Sequence, residues 1–293
     1  MLPGPFFSTV VLGGMSIMDA GNEEQKQEFL PRIAEGQIIM TLALTEPSAR
    51  WDAAGVELTA TKDGDSYTLN GTKLFVPNAH VSDYMVVAAK TGTGDEDISL
   101  FIVPTQSDGI TQTLLKTIAS DRQSEVAFDN VKVPASALLG SENNGWNTIN
   151  KVMQWGAIGK CAEMSGGGQQ VLDMTVDYAK QRTQFGRPIG SFQAIQHHCA
   201  NMATDVEGSK FITYQAAWRL SEGLPAEREV AMAKAWVSDA YRRVCALGHQ
   251  SHGAIGFTKE HNMQLYSRRA KASEIMFGDT DFHLASVADI LGL

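Results

Sequence analysis

The sequence predicts an α+β multidomain chain: a short helical N-terminal segment, an antiparallel β-barrel or sandwich in the middle, and a C-terminal up-down helical bundle. Three observations carry this. Capping signals stand at Asn22, short β-rich runs fill 37–137, and apolar residues recur at helical spacing from Gly145 onward. The boundaries read from them are 1–36, 37–137 and 138–293.

In the first segment the apolar run Phe6 to Met18 is interrupted by Gly13-Gly14 and follows no basic residue, so it is neither a membrane span nor a signal peptide. Asn22 before Glu23 and Glu24 reads as an N-cap with acids in the first turn. Pro31 is expected to restart a short helix that stops at Gly36.

The β-rich runs are Ile38-Leu44, Val56-Lys62, Tyr67-Leu69, Thr72-Val76, Tyr84-Ala89, Ile98-Val103 and Glu125-Val133. No helical pattern separates them, which points to antiparallel pairing instead of βαβ units. Asn70-Gly71 between two of the runs predicts a two-residue hairpin turn, which needs positive φ at both positions.

Beyond Gly145, Val171, Met174 and Tyr178 recur at three and four; Ile195, Cys199, Met202 and Val206 follow, then Val230, Ala233, Val237, Tyr241 and Val244. Three long helices are expected, each ~40–60 Å at 1.5 Å per residue. Gly223-Leu-Pro225 breaks the second from the third, and Gly253 to Gly256 ends the third. Gly166-Gly167-Gly168 lies inside a helical pattern with no preceding strand, so it reads as close helix packing and not a phosphate loop.

Several function classes are excluded by composition and by missing motifs. A net charge of -9 and a pI near 5.3 do not suit a surface that neutralises phosphates, so no nucleic-acid partner is expected. Cys161, Cys199 and Cys245 are odd in number and each sits in a helical pattern, which favours a reducing, cytoplasmic compartment over a disulfide framework. No metal site is expected: His197, His198, His249 and His252 have no Cys or carboxylate at ligand spacing. There is no GxSxG for an acyl hydrolase.

Four motifs remain in register: LeuThrGluPro at 44–47, AsnGlyThrLysLeuPheValPro at 70–77, ArgThrGlnPheGlyArgProIle at 182–189 followed by SerPheGlnAlaIleGlnHis, and HisGlyAlaIleGlyPhe at 252–257. In that order and spacing the chain resembles the acyl-CoA dehydrogenase family over almost its whole length. The resemblance implies an FAD enzyme that desaturates an acyl-CoA thioester at its α and β carbons. A base takes the α-proton and the β-hydrogen leaves as hydride to the flavin.

Carried over residue by residue, the resemblance places Leu44 and Thr45 at the pyrimidine end of the flavin. Phe75 stands where the family usually has a Trp against the flat ring system, and Pro77 replaces the usual Thr or Ser near N5. Arg182 would meet the FAD pyrophosphate, with Gln184, Phe185 and Gln193 alongside; Gln250, Gly253 and Ala254 match the loop near the adenosine. Taken alone, Arg182 has an equally good reading as a cation favoured at a helix C-terminus.

The family reaches a neighbouring subunit's flavin with the Arg182 and Gln250 regions, so a homo-oligomer or a complex with a paralogous subunit is implied. Electron-transfer flavoprotein is the implied acceptor, and lipid metabolism, including fatty acid β-oxidation, the implied setting.

Two departures bear on chemistry. Most of the family's first helical domain has no counterpart, only its last helices in Pro3 to Glu35, so the chain reads as a fragment or as a subunit completed by a partner. The usual catalytic Glu position falls on Phe277, before Gly278, and the alternative base position falls on Gly156. Asp279 is the substitute base this suggests, provided burial raises its pKa; otherwise it is the N-cap of a helix over 282–291. The rival readings are a non-catalytic FAD-binding subunit and, more distantly, an oxidase or nitroalkane-type reaction of the same fold.

Overall fold

The computed structural model describes residues 4–293, so Pro3 of the expected N-terminal segment lies outside the described residues. The chain separates into two compact units, 4–153 and 154–293.

The first unit opens with wide π-helical turns over Phe7–Gly14, followed by helix α1 (Met15–Ala20) and helix α2 (Glu23–Ala34). These helices pack on the sheet. A Cβ at Gly13 would stand 2.5 Å from the Met40 Cβ, and the Thr9 hydroxyl accepts the Met40 N–H at 3.2 Å.

Helix α2 begins as expected. The Asn22 side chain accepts the Gln25 N–H and the Gln25 side chain accepts the Asn22 N–H, a capping box that satisfies two donors which have no partner inside the helix. Pro31 corrects the expectation of a restart: the helix runs through it without a break. Its position late in a short helix limits the loss to a single backbone donor.

The strands are β1 (Met40–Ala43), β2 (Thr59–Asp63), β3 (Ser66–Pro77), β4 (Tyr84–Lys90), β5 (Ile98–Pro104), β6 (Ile110–Leu114), β7 (Gln123–Pro134) and β8 (Leu138–Leu139). They lie in the order β6-β7-β3-β2-β4-β5-β8, with β1 beside β4. Most pairings are antiparallel as predicted, but β1 runs parallel to β4, Met40 opposite Tyr84, and β2 meets the end of β4 in parallel. The middle region is therefore a mixed sheet. Its core gathers Tyr67, Leu69, Met85, Val87, Phe101, Val103, Val126, Val131 and Val133.

The predicted hairpin at Asn70-Gly71 is also corrected. Strand β3 passes straight through it, and the β2–β3 turn lies at Gly64-Asp65, where Asp63 pairs with Ser66 and Gly64 has φ +57°. Asn70-Gly71 is instead a bulge against β7. Gly71 has φ +145°, and a Cβ there would sit 2.9 Å from Leu58, so the position needs glycine for close approach.

Helix α3 (Gly145–Gln181) leads into the second unit, which holds α4 (Gln193–Ser221), α5 (Glu227–His252), α6 (Met263–Ile275) and α7 (Thr280–Leu291). The breaks at 223–225 and at Gly253 fall where expected, the latter in the left-handed region at φ +65°. The glycine run packs helices as read from the sequence. A Cβ at Gly167 would meet the Tyr241 hydroxyl at 2.4 Å, and one at Gly168 would meet Val206 at 3.5 Å. A small exposed ribbon, β9 (Thr183–Gln184) and β10 (Arg187–Pro188), joins α3 to α4.

Candidate functional site

In the first unit, Leu44, Thr45, Phe75 and Pro77 are brought together by strand pairing. The Leu74 N–H donates to the Thr45 carbonyl at 2.8 Å, which aligns the LeuThrGluPro segment with the end of β3. The following residues leave regular geometry: Phe75 has φ +54° and Asn78 φ +55°, both left-handed, and the β3–β7 register shifts between Lys73 and Val76. The Phe75 ring is half exposed, an open aromatic face suited to a flat partner. Pro77 is fixed by the Thr41 hydroxyl donating to its carbonyl at 2.6 Å, and the Asn78 N–H donates to the Arg122 carbonyl at 2.8 Å.

Beneath this edge lies a charge pair that the sequence did not disclose. The Lys73 Nζ, fully buried, donates to Glu46 Oε1 at 2.6 Å and to the Leu44 carbonyl at 3.2 Å. The Glu46 carboxylate also accepts the N–H groups of Glu57 and Leu58 at 2.9 and 3.0 Å. Burial pulls the Lys73 ammonium down to about 8, while the Glu46 charge works in the opposite direction. Both residues stand inside quoted motifs, and Lys73 occupies an inward position of β3. That phase was the one available signal.

In the second unit the expected pyrophosphate and adenosine residues stand on exposed turns. Arg182 lies just past the end of α3, its N–H donating to the Tyr178 carbonyl at 2.8 Å, and its carbonyl accepts the Ile189 N–H to close the ribbon. Among the described residues no ion pair or hydrogen bond engages its guanidinium. Gln184 donates to the Thr183 carbonyl at 2.7 Å, and Gln193 starts α4 in the open. Phe185, at the tip of the ribbon, is left-handed at φ +52° and 93% exposed.

Gln250, Gly253 and Ala254 are exposed where α5 ends. The Tyr178 and His252 rings stack at 4.5 Å, so the end of α3 that carries Arg182 neighbours the end of α5 that carries Gly253. A Cβ at Gly253 would meet nothing within 4 Å, leaving its backbone open to a ligand. An uncommitted guanidinium beside such a turn fits a diphosphate.

The two positions aligned with a catalytic base are in contact. A Cβ at Gly156 would stand 2.8 Å from the Phe277 ring, which is buried. Phe277 is left-handed at φ +59° and Gly278 has φ +88°. The segment is held from two sides. The buried Lys234 Nζ donates to the carbonyls of Glu274 and Gly278 at 2.7 and 2.8 Å, and Ser238 Oγ stands 3.3 Å away. His283 Nε2 donates at 2.8 Å to the Phe277 carbonyl, which can only accept, and burial pushes that imidazole down to about 4.

Asp279 is exposed and caps α7, its Oδ1 accepting the Phe282 N–H at 2.9 Å.

Two family models match the chain: the acyl-CoA dehydrogenase middle domain over residues 41–131 and the acyl-CoA dehydrogenase C-terminal domain over 143–292. An acyl-CoA dehydrogenase of Bacillus subtilis is 34% identical over 285 residues, covering 96% of this chain and 75% of the relative. A subunit of the caffeyl-CoA reductase-Etf complex of Acetobacterium woodii is also 34% identical, over 96% of this chain and 75% of its own. The structure of butyryl-CoA dehydrogenase from Megasphaera elsdenii superposes with a TM-score of 0.94 at 34% identity, over 98% of this chain and 76% of that one. With both domain models in register and the fold matched over nearly its full length, the chain belongs to the acyl-CoA dehydrogenase family, the FAD-dependent oxidoreductases that act on acyl-CoA.

Proposed function

We propose that this chain holds FAD through two sets of residues. Leu44, Thr45, Phe75 and Pro77 would contact the flavin, and Arg182, Gln184, Phe185, Gln193, Gln250, Gly253 and Ala254 the pyrophosphate and adenosine. The single observation that carries this reading is the half-exposed, left-handed Phe75 ring at the edge formed with Thr45. A strained residue at a predicted contact is the expected sign of a working surface. When bound, FAD supplies hydride acceptance. The chain's part is to present the Phe75 face, engage the pyrophosphate with Arg182 and receive the acyl thioester's α-proton. Asp279 is the proposed receiver through Oδ2, which the α7 cap at Oδ1 leaves over, and its exposed position means that it would act without the burial expected of such a base.

Purified protein should be yellow and should bleach anaerobically on adding a straight-chain acyl-CoA. Colourless protein that takes up no added FAD overturns the assignment. Replacement of Asp279 by Asn keeps the helix cap and removes the base, so bleaching should slow while stability holds; an unchanged rate removes Asp279 from the chemistry.

The packing of Phe277 on Gly156 favours a second reading, a non-catalytic FAD-binding subunit completed by a paralogue. Yellow protein that bleaches only when co-purified with a longer relative would select it. Self-association or pairing with such a relative is supported by the aromatic stripe Phe211, Tyr214 and Trp218 on α4 beside Met232 and Trp236 on α5, all exposed. Sedimentation of the purified protein tests it. Electron-transfer flavoprotein is the proposed acceptor, by similarity to the relative named for an Etf complex. Among the described residues no helix is long and apolar enough to cross a membrane; three free cysteines accord with a cytoplasmic setting.

A further inference from the structure

We infer that the buried Lys73–Glu46 pair is the positioning device of the flavin-facing edge: it ties the Leu44-Thr45 backbone to the strand that presents Phe75 and so sets how that ring meets the flavin. The inference rests on the proposal that Leu44, Thr45, Phe75 and Pro77 contact FAD.

An ammonium and a carboxylate removed from water lose their hydration, and a well-packed apolar pair of similar volume often holds a core together as well. Stability alone is therefore a poor reason for this pair. What an apolar pair cannot do is form its directional bonds. Lys73 reaches the Leu44 carbonyl at 3.2 Å while Glu46, two residues along, holds the same ammonium at 2.6 Å. Glu46 in turn takes the N–H groups of Glu57 and Leu58, the segment entering β2. Three stretches of backbone, 44–46, 57–58 and 73–75, are thereby fixed by one ion pair.

The geometry just beyond it needs such fixing. A left-handed conformation is unfavourable for an aromatic residue such as Phe75 and persists only where its surroundings over-determine it, whereas Asn78 adopts it readily. The remaining bonds of the segment, from Thr41 to Pro77 and from Asn78 to Arg122, act after Phe75. Before it the strand pairs with β7 as far as Lys73, opposite Val126, where the register shifts, and across that shift the Leu74–Thr45 backbone bond and the ion pair hold the segment. A tether on the upstream side is what turns a strained bulge into a fixed platform.

The test compares Lys73→Met and Glu46→Gln with Val131→Ala, a truncation in the same sheet core, opposite Leu69 and outside the hydrogen bonds of the tether. FAD dissociation constants, the visible circular dichroism of bound flavin, and amide exchange at Leu74 and Leu58 are read on each purified protein. Lys73→Met should bind FAD at least ~10-fold more weakly, change the flavin dichroism and speed exchange at both amides; Glu46→Gln should do the same to a smaller degree. Val131→Ala should lose thermal stability yet keep wild-type FAD affinity and dichroism. If FAD affinity falls in all three variants in proportion to their stability, or if the pair's variants keep it, the positioning role is overturned. Should Lys73→Met fail to fold, Glu46→Gln decides by the same criteria. Failure of the wild-type protein to bind FAD would instead overturn the flavin proposal beneath it.

Discussion

Of the three phenylalanines in the left-handed backbone conformation, Phe75, Phe185 and Phe277, the first and the last serve opposite ends. Phe75 at φ +54° shows half its surface to solvent; Phe277 at φ +59° is packed away against Gly156. Each is braced by a buried lysine that burial holds down to about 8: Lys73 donates to the Glu46 carboxylate and the Leu44 carbonyl, Lys234 to the carbonyls of Glu274 and Gly278. The same bracing thus produces an open face at the expected flavin contact and a filled space at the expected base. The left-handed turn aims a side chain, and the neighbours decide whether it is presented or enclosed.

The largest expected effect comes from undoing the enclosure. Phe277→Glu places a carboxylate in an apolar setting beside Gly156, where burial should raise its pKa toward the range of a working base. Anaerobic bleaching by acyl-CoA should accelerate by ~10²–10⁴-fold, the usual worth of a positioned base. No acceleration, with FAD still bound, would mean that proton transfer is already provided, by Asp279 or by a partner chain.

Next in size is loss of a brace. Lys73→Met leaves Glu46 buried without its cation and should cost about 3–5 kcal/mol in chemical denaturation. Gly156→Ala presses on the ring and should cost about 1–3 kcal/mol. Most of that penalty should vanish in a Phe277→Ala background, giving a coupling of roughly 0.5–3 kcal/mol. Additive costs would show that the contact at Gly156 is not what holds the ring.

Charge state separates the two regions by pH. Lys73 and Lys234, near 8 in the fold, sit below the ordinary lysine value of about 10.4, so between those limits the unfolded chain binds more protons and stability rises with pH. Below about 8 both states are protonated and this slope disappears. His283, near 4 in the fold against about 6.5 unfolded, contributes stability present above 6.5 and lost as pH falls toward 4. Urea midpoints measured from pH 4 to 10 should show both slopes. Lys73→Met should shallow the alkaline slope and leave the acid one. The smallest effect is local: Asp279→Ala should cost about 1 kcal/mol through loss of the α7 cap, and Asp279→Asn only a few tenths.

The sequence made legible whatever depends on neighbours along the chain. Asn22 capped its helix, the glycines at 167 and 168 packed helices, and the helical breaks fell at 223–225 and at Gly253. Features set by distant partners were misread or invisible. Asn70-Gly71 has hairpin chemistry, but pairing of β3 with β7 along both halves of the strand, and the approach of Leu58, made it a bulge. The parallel β1–β4 pairing leaves no mark in either strand. The motifs named Thr45, Phe75 and Arg182 from resemblance, whereas the Lys73–Glu46 bond spans 27 residues and only the inward phase of Lys73 on β3 hints at it. Counting from Arg182 placed Gly156, and alignment to Gly278 placed Phe277; their contact needed the fold.

Gln25 gives the chain a timetable. Its capping bonds with Asn22 can form as soon as that short stretch exists, but its side-chain amide also donates to the carbonyls of Ser136 and Leu138, 111 and 113 residues downstream. At roughly 5–20 residues per second, those acceptors are made about 6–20 s after the helix that needs them. During that interval α2 has its cap and can meet Tyr84 of β4 through Phe29, but the two Gln25 bonds that complete its seat wait for the stretch entering β8.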